Sequence, residues 1–240
     1  MTHDSEIVLV ELPADLEVAA RQASRRAGVP LAEFITEAVI EKIAARDLGH
    51  EPMESIPRHR CLIYEGSPSR QLPMLAAVIC RKIEENYRCL YINSPTMVAD
   101  MGSYLAARGR DVLEDTKRGK LVLSSDQHTS SYGIFDVDAM LQGLEDSLEQ
   151  ALKDGFKGLW GSGDMTWEFG RAADFSRLLE YEWRLEEFFQ KHAEVEGICQ
   201  YQVDTLPPEA VKQGRTAHPA IFVSETLSLV NAHYCPMNGQ

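Results

Sequence analysis

From residue 59 to the carboxyl end, short apolar runs of strand character take turns with longer stretches of helical spacing, and this alternation leaves few folds open. Arg60-Cys-Leu-Ile-Tyr64 reads as a strand and Leu72 to Ile83 as a helix. Cys89-Leu-Tyr-Ile-Asn93 is a second strand, Met97 to Arg108 a helix closed by Gly109, and Leu121-Val-Leu123 a third strand. Asp136 caps a long amphipathic helix carrying Met140, Leu141, Leu144, Leu148 and Leu152, which stops at Gly155. Phe156 to Trp160 reads as a strand, and Arg171 to Lys191 as a helix with Phe175, Leu178, Leu179, Leu185, Phe188 and Phe189. Ile198 to Val203 and Ala220 to Val223 complete the set. Strands that alternate with helices predict an α/β domain with a mainly parallel sheet covered on both faces.

The first 46 residues have a different pattern. Glu6 to Leu12 is β-branched and aliphatic and ends at Pro13, so it reads as one strand. Leu16, Ala19, Ala20, Ala23 and Ala27 follow helical spacing up to Gly28, and Leu31, Phe34, Ile35, Ala38, Val39 and Ile43 mark a second helix. One strand and two helices are too little chain to enclose a core, so the unit is expected to be stable by pairing with a second copy. It resembles a ribbon-helix-helix unit. That family pairs two chains through an antiparallel ribbon, which is laid into the DNA major groove. Here strand alternation places Ile7, Leu9 and Glu11 on the outer face of the ribbon, where they offer no donors to base edges. The expected organisation is a dimerisation unit over 1–46, which is also the DNA-binding unit if the ribbon is used, a Gly/Pro-punctuated linker over 47–58, and the α/β domain over 59–240.

Charge bears on the partners. Twenty-four Lys and Arg against thirty-seven Asp and Glu leave −13, and residues 1–50 share the deficit with five basic and nine acidic residues. Nucleic-acid binders draw most of their non-specific affinity from phosphate neutralisation, so the balance disfavours DNA without excluding a local patch. No apolar run approaches the roughly 18 residues needed to span a bilayer, and the acidic amino terminus is unlike a signal peptide, so a cytoplasmic protein without membrane association is expected. The five cysteines are odd in number and form no C-x-x-C pair, which indicates neither a disulfide framework nor a zinc ribbon.

The first strand-to-helix turn, where a phosphate loop would sit, reads Glu65-Gly-Ser-Pro-Ser-Arg-Gln71, and the chain has no Gly-Lys-Ser/Thr. Nor does it contain G-x-G-x-x-G, G-x-S-x-G or H-E-x-x-H, so no common catalytic motif points to an enzyme. A series of short motifs carries a second resemblance: His59-Arg-Cys61, Ile63-Tyr-Glu65, Cys89 to Asn93, Gly109-Arg-Asp-Val112, Gly155 to Leu159, Gly163-Asp-Met-Thr-Trp167, Tyr181-Glu182, Cys199-Gln-Tyr201 and His218-Pro219. In this order they resemble the MEDS domain, the sensory domain of DcmR-type regulators. The resemblance implies a RecA/KaiC-like fold that has lost its phosphate loop, senses small molecules such as hydrocarbon derivatives, and is attached to an output module. The chain departs from the pattern at Trp160-Gly161, where many members are expected to have an Arg.

In parallel sheets ligands bind beyond the carboxyl ends of the strands. This makes Tyr64, Glu65, Asn93, Asp164, Trp167 and Tyr201 the candidate pocket residues, joined by Glu182 from a nearby helix. Core packing is the competing account for Tyr64 and Trp167, and a solvated carboxylate for Glu65, Asp164 and Glu182. His59, Cys61, Cys199 and His218, with His128, are metal-type donors without local chelate spacing. No cofactor is named by the residues. The leading expectation is a dimeric small-molecule-sensing regulator in transcription or signalling. The alternatives are a nucleotide- or metal-binding enzyme on the same fold and a scaffold without ligand.

Overall fold

A computed structural model describes residues 13–27, 30–32, 34, 35, 38, 57–126, 135–170 and 175–236. The chain divides into two units, Met1–Glu54 and Ser55–Gln240. In the first, α1 (Ala14–Ala27) is a helix steadied by an Arg21–Glu17 ion pair at 2.6 Å, and Phe34 N–H donates to Pro30 C=O to open a second helical stretch. The expected ribbon strand, with Ile7, Leu9 and Glu11, lies outside the described residues.

The second unit is built on seven strands: β1 (His59–Tyr64), β2 (Tyr87–Ile92), β3 (Leu121–Ser124), β4 (Gly158–Asp164), β5 (Val195–Gln202), β6 (Ala220–Ser224) and β7 (Leu227–Val230). They lie in the order β3-β2-β4-β5-β1-β6-β7, all parallel except the β6–β7 hairpin pair. The helices between them are α2 (Leu72–Glu84), α3 (Pro95–Ala107), α4 (Val112–Lys117), α5 (Val137–Lys153), α6 (Met165–Gly170), α7 (Leu178–Lys191) and α8 (Pro208–Ala217).

Strand alternation divides the interior into two cores. Leu62, Tyr64, Cys89, Tyr91, Trp160 and Ile198 point to the face covered by α2 and α3. Cys61, Ile92, Leu159, Cys199 and Tyr201 point to the opposite face, covered by α5, α7 and α8. Burial on both faces explains why apolar side chains of β1, β2, β4 and β5 point to both sides of the sheet, with polar residues such as Arg60, Arg88 and Glu196 among them. Local signals close the helices: Asp136 accepts a hydrogen bond from Ala139 N–H at 3.0 Å at the start of α5, and Gly155 follows it at a φ of +85° that L side chains rarely adopt.

The expected parallel sheet with flanking helices is what the structure has. The differences are local. The strand expected over 156–160 runs instead from Gly158 to Asp164, because Gly161-Ser-Gly163 continues the ladder in the middle of the sheet. The helix expected over 171–191 begins at Leu178, and a separate short α6 precedes it. Short α4, polar α8 and edge strand β7 lacked a readable period.

Candidate functional site

Two buried polar clusters lie on opposite faces of the sheet, and they divide the expected pocket between them. At the carboxyl ends of the strands, Asp164 Oδ2 is 3.4 Å from Tyr64 Oη and 3.3 Å from Asn93 Nδ2, and Asn93 Nδ2 also donates to Tyr91 Oη at 3.0 Å. Asp164 Oδ1 accepts from Trp167 N–H at 3.0 Å, so this carboxylate also caps α6. Burial pushes the Asp164 carboxyl upward, against the donors that favour its charge. Trp167 packs against the core on the other face, and Glu65 is exposed.

Glu182 and Tyr201 belong to the second cluster. It was not legible as one site in the sequence, because its members lie far apart along the chain. His59 opens β1, Cys199 lies in β5, His218 follows α8, and Glu182 comes from α7. One donor atom of each lies within 4.8 Å of all the others, and all four side chains are buried. Glu182 Oε2 is 3.4 Å from both His59 Nε2 and His218 Nε2, and Cys199 Sγ is 3.5 Å from His59 Nε2. Facing outward, His59 Nδ1 meets Glu186 Oε2 at 2.8 Å, His218 Nδ1 meets Gly214 C=O at 2.6 Å, and Tyr201 Oη donates to Glu182 Oε1. Three of the five metal-type donors named from the sequence, His59, Cys199 and His218, therefore meet. Cys61 instead turns its thiol toward Ala220 C=O at 3.8 Å, Glu182 takes the fourth place, and His128 lies outside the described residues.

Glu182 has no solvated face: its side chain is fully buried. The helical stripe held the signal, since Leu178, Tyr181, Leu185, Phe188 and Phe189 are the buried positions of α7 and residue 182 falls within them. Glu186, one turn further on, had no signal of its own.

The electrostatics follow from burial and contact. Burial opposes a charge on His59, but the carboxylates of Glu182 and Glu186 prevail and raise it. Burial and the neighbouring His59 lower His218 to about 4, leaving it neutral near pH 7. Burial works against Glu182, yet His218 and His59 hold it below the usual carboxylate range. The Cys199 thiol is pushed well up by burial and by Glu182.

A cavity of about 40 Å³ lies on the same face, between the sheet and α5 and α7. Leu144, Met140, Met165, Leu185 and Phe188 are among its walls, and Cys199 borders it. Gly161 and Gly197 sit opposite each other on β4 and β5 in its floor, and Phe189 packs onto Gly197, where a Cβ would stand 2.8 Å from its Cζ. A Cβ on Gly161 would meet nothing within 4 Å.

The domain is thus a mainly parallel sheet covered on both faces, without a phosphate loop, with buried polar groups on both faces and a small cavity beneath α5 and α7. The sequence matches the family model MEDS, the MEthanogen/methylotroph, DcmR Sensory domain, over residues 58–219. The chain belongs to this family. No curated protein compared with the chain matches it. Among the described residues no helix is long and apolar enough to cross a membrane.

Proposed function

We propose that the chain is a cytoplasmic sensor-regulator whose α/β domain receives a small, largely apolar molecule in the cavity between the sheet and α5 and α7. Paired 6–46 segments would join two chains and pass the signal to a protein partner or, against the charge balance, to DNA, in transcriptional regulation or signalling. The observation that carries the reading is the void at Gly161, in a domain of a sensory family. A water needs about 10–15 Å³ of such space, so roughly 40 Å³ suits a molecule of about three heavy atoms. The Tyr64–Asn93–Asp164 cluster is the weaker receiver, because Asp164 already spends both oxygens on neighbours.

Xenon and a series of one- to three-carbon alcohols and halocarbons test this against protein labelled at its methionine methyl groups. Met140 and Met165 line the cavity, whereas Met101 belongs to the other core. The first two signals should shift on xenon binding, Met101 should not, and Gly161→Val should abolish the response. Equal shifts at all three, or a response that survives the valine, would refute the assignment. Native mass spectrometry checks the dimer.

A further inference from the structure

The donor cluster on the α7 face has a polarity that ordinary hydrogen bonding does not explain. Every atom pointing away from its centre is satisfied: His59 Nδ1 by Glu186, His218 Nδ1 by Gly214 C=O, and Glu182 Oε1 by Tyr201. At the centre, buried Glu182 Oε2 and His218 Nε2 have no hydrogen-bond partner among the described residues. Gly214 C=O can only accept, so His218 Nδ1 carries a hydrogen, and in the neutral ring Nε2 turns a lone pair toward a carboxylate oxygen 3.4 Å away. Two acceptors facing each other in a dry interior repel unless a cation lies between them. A proton on His59 satisfies Glu182 and Glu186 but leaves the His218 lone pair unanswered.

We propose that His59, Glu182, Cys199 and His218 bind one divalent transition-metal ion of the zinc type. Two imidazoles, a thiolate and a carboxylate are the donor set such an ion takes. At metal–ligand distances of about 2.0–2.3 Å, neighbouring donors of a tetrahedral ion lie about 3.3–3.8 Å apart. The observed 3.4, 3.4 and 3.5 Å fall in that range, and the remaining donor pairs all lie within 4.8 Å. The two anionic donors neutralise the ion, which keeps its burial inexpensive. Each nitrogen or oxygen donor is oriented by a second partner, the arrangement that fixes histidine tautomers around metals. Four protein donors leave no open position, so the ion ties β1, β5, α7 and the α8–β6 connection together and does no chemistry of its own.

The test uses the full chain. Metal content is measured on purified protein, and protein stripped with a chelator is then titrated anaerobically with cobalt(II). The expected result is about one equivalent, with the intense visible bands of a four-coordinate ion and a near-ultraviolet thiolate-to-cobalt band. Cys199→Ser should remove the thiolate band, whereas Cys80→Ser, on α2, should keep it. Glu186→Gln keeps all four donors and should weaken binding by about 10–100-fold without removing the band. It also serves as the diagnostic variant where Cys199→Ser fails to fold. Folded wild-type protein that takes up no cobalt, a thiolate band that survives Cys199→Ser, or unchanged affinity in Glu186→Gln overturns the proposal.

Discussion

Gly214 on α8 offers a sharp trial of how tightly the donor cluster is built. A Cβ placed there would stand 2.3 Å from Tyr201 Cζ, 2.4 Å from Cε1 and 2.8 Å from the hydroxyl. Ordinary contact requires about 1 Å more, and Tyr201 cannot supply it: the ring is fully buried, set edge-on to His218 at 5.9 Å, and its hydroxyl is bound to Glu182. Overpacking of this kind costs about 1–3 kcal/mol. Displacing the hydroxyl from a charged partner adds about 1.5–3 kcal/mol, and the gain in helix propensity returns about 1 kcal/mol. Gly214→Ala should therefore destabilise the protein by about 1.5–5 kcal/mol. Gly102 on α3 is the matched control, since its Cβ would meet only Leu123 Cδ1 at 3.8 Å, so Gly102→Ala should be neutral or stabilising by up to about 1 kcal/mol. Urea unfolding followed by tryptophan fluorescence measures both. If Gly214→Ala is as stable as the wild type, Tyr201 is not held in place as described.

Asp164 predicts a pH dependence. Its folded-state value is raised above the unfolded one, so the native state holds its proton more firmly. The corresponding stability is present at low pH and is lost as pH rises through the folded value, a slope that Asp164→Asn should remove from the urea midpoint measured against pH. Identical slopes in the two proteins would count against the buried carboxyl. Thiol reactivity offers a separate check. Exposed Cys235 should react with a disulfide reagent at once and half-buried Cys80 slowly, while Cys61, pushed up to about 12, and buried Cys89 and Cys199 should wait for unfolding. Rapid modification of three or more thiols in native protein would contradict the burial.

The layered sheet was readable because each of the strands β1 to β6 holds a short apolar stretch and α2, α5 and α7 have a periodic stripe. What escaped was either short, such as α4 with six residues, or polar, such as α8, whose buried positions are only Ala210, Gly214 and Ala217. Glycine in the middle of β4 was equally misleading. A run of Gly161-Ser-Gly163 suggests a loop, but between two parallel neighbours the ladder supports the strand and Gly161 leaves room for the cavity. The site failed for a different reason. Residues 59, 182, 199 and 218 share no local spacing, and only the pairing of β1 with β5, which puts Cys61 opposite Cys199, brings His59 within reach of the thiol. Tyr64 and Tyr201, both expected at strand ends, part because one-residue alternation sends them to opposite faces.

The cavity and the donor cluster share two parts, and that sharing has a thermodynamic consequence. Cys199 is a donor and also a cavity wall, and α7 turns Glu182 and Glu186 toward the cluster while Tyr181, Leu185, Phe188 and Phe189 face the cavity. A molecule that enters the cavity must press on the helix that positions the carboxylates. An ion that fixes those carboxylates holds the helix against which the molecule must fit. If the ion changes the affinity for xenon by some factor, xenon changes the affinity for the ion by that same factor, because the two bindings close one thermodynamic cycle. Xenon titrations with and without bound cobalt, and cobalt titrations with and without xenon, should return equal factors different from one, and Gly161→Val should bring both to one. Equal factors of one in the wild type would mean that α7 is too rigid to relay anything, and the route from ligand to output would then have to avoid it.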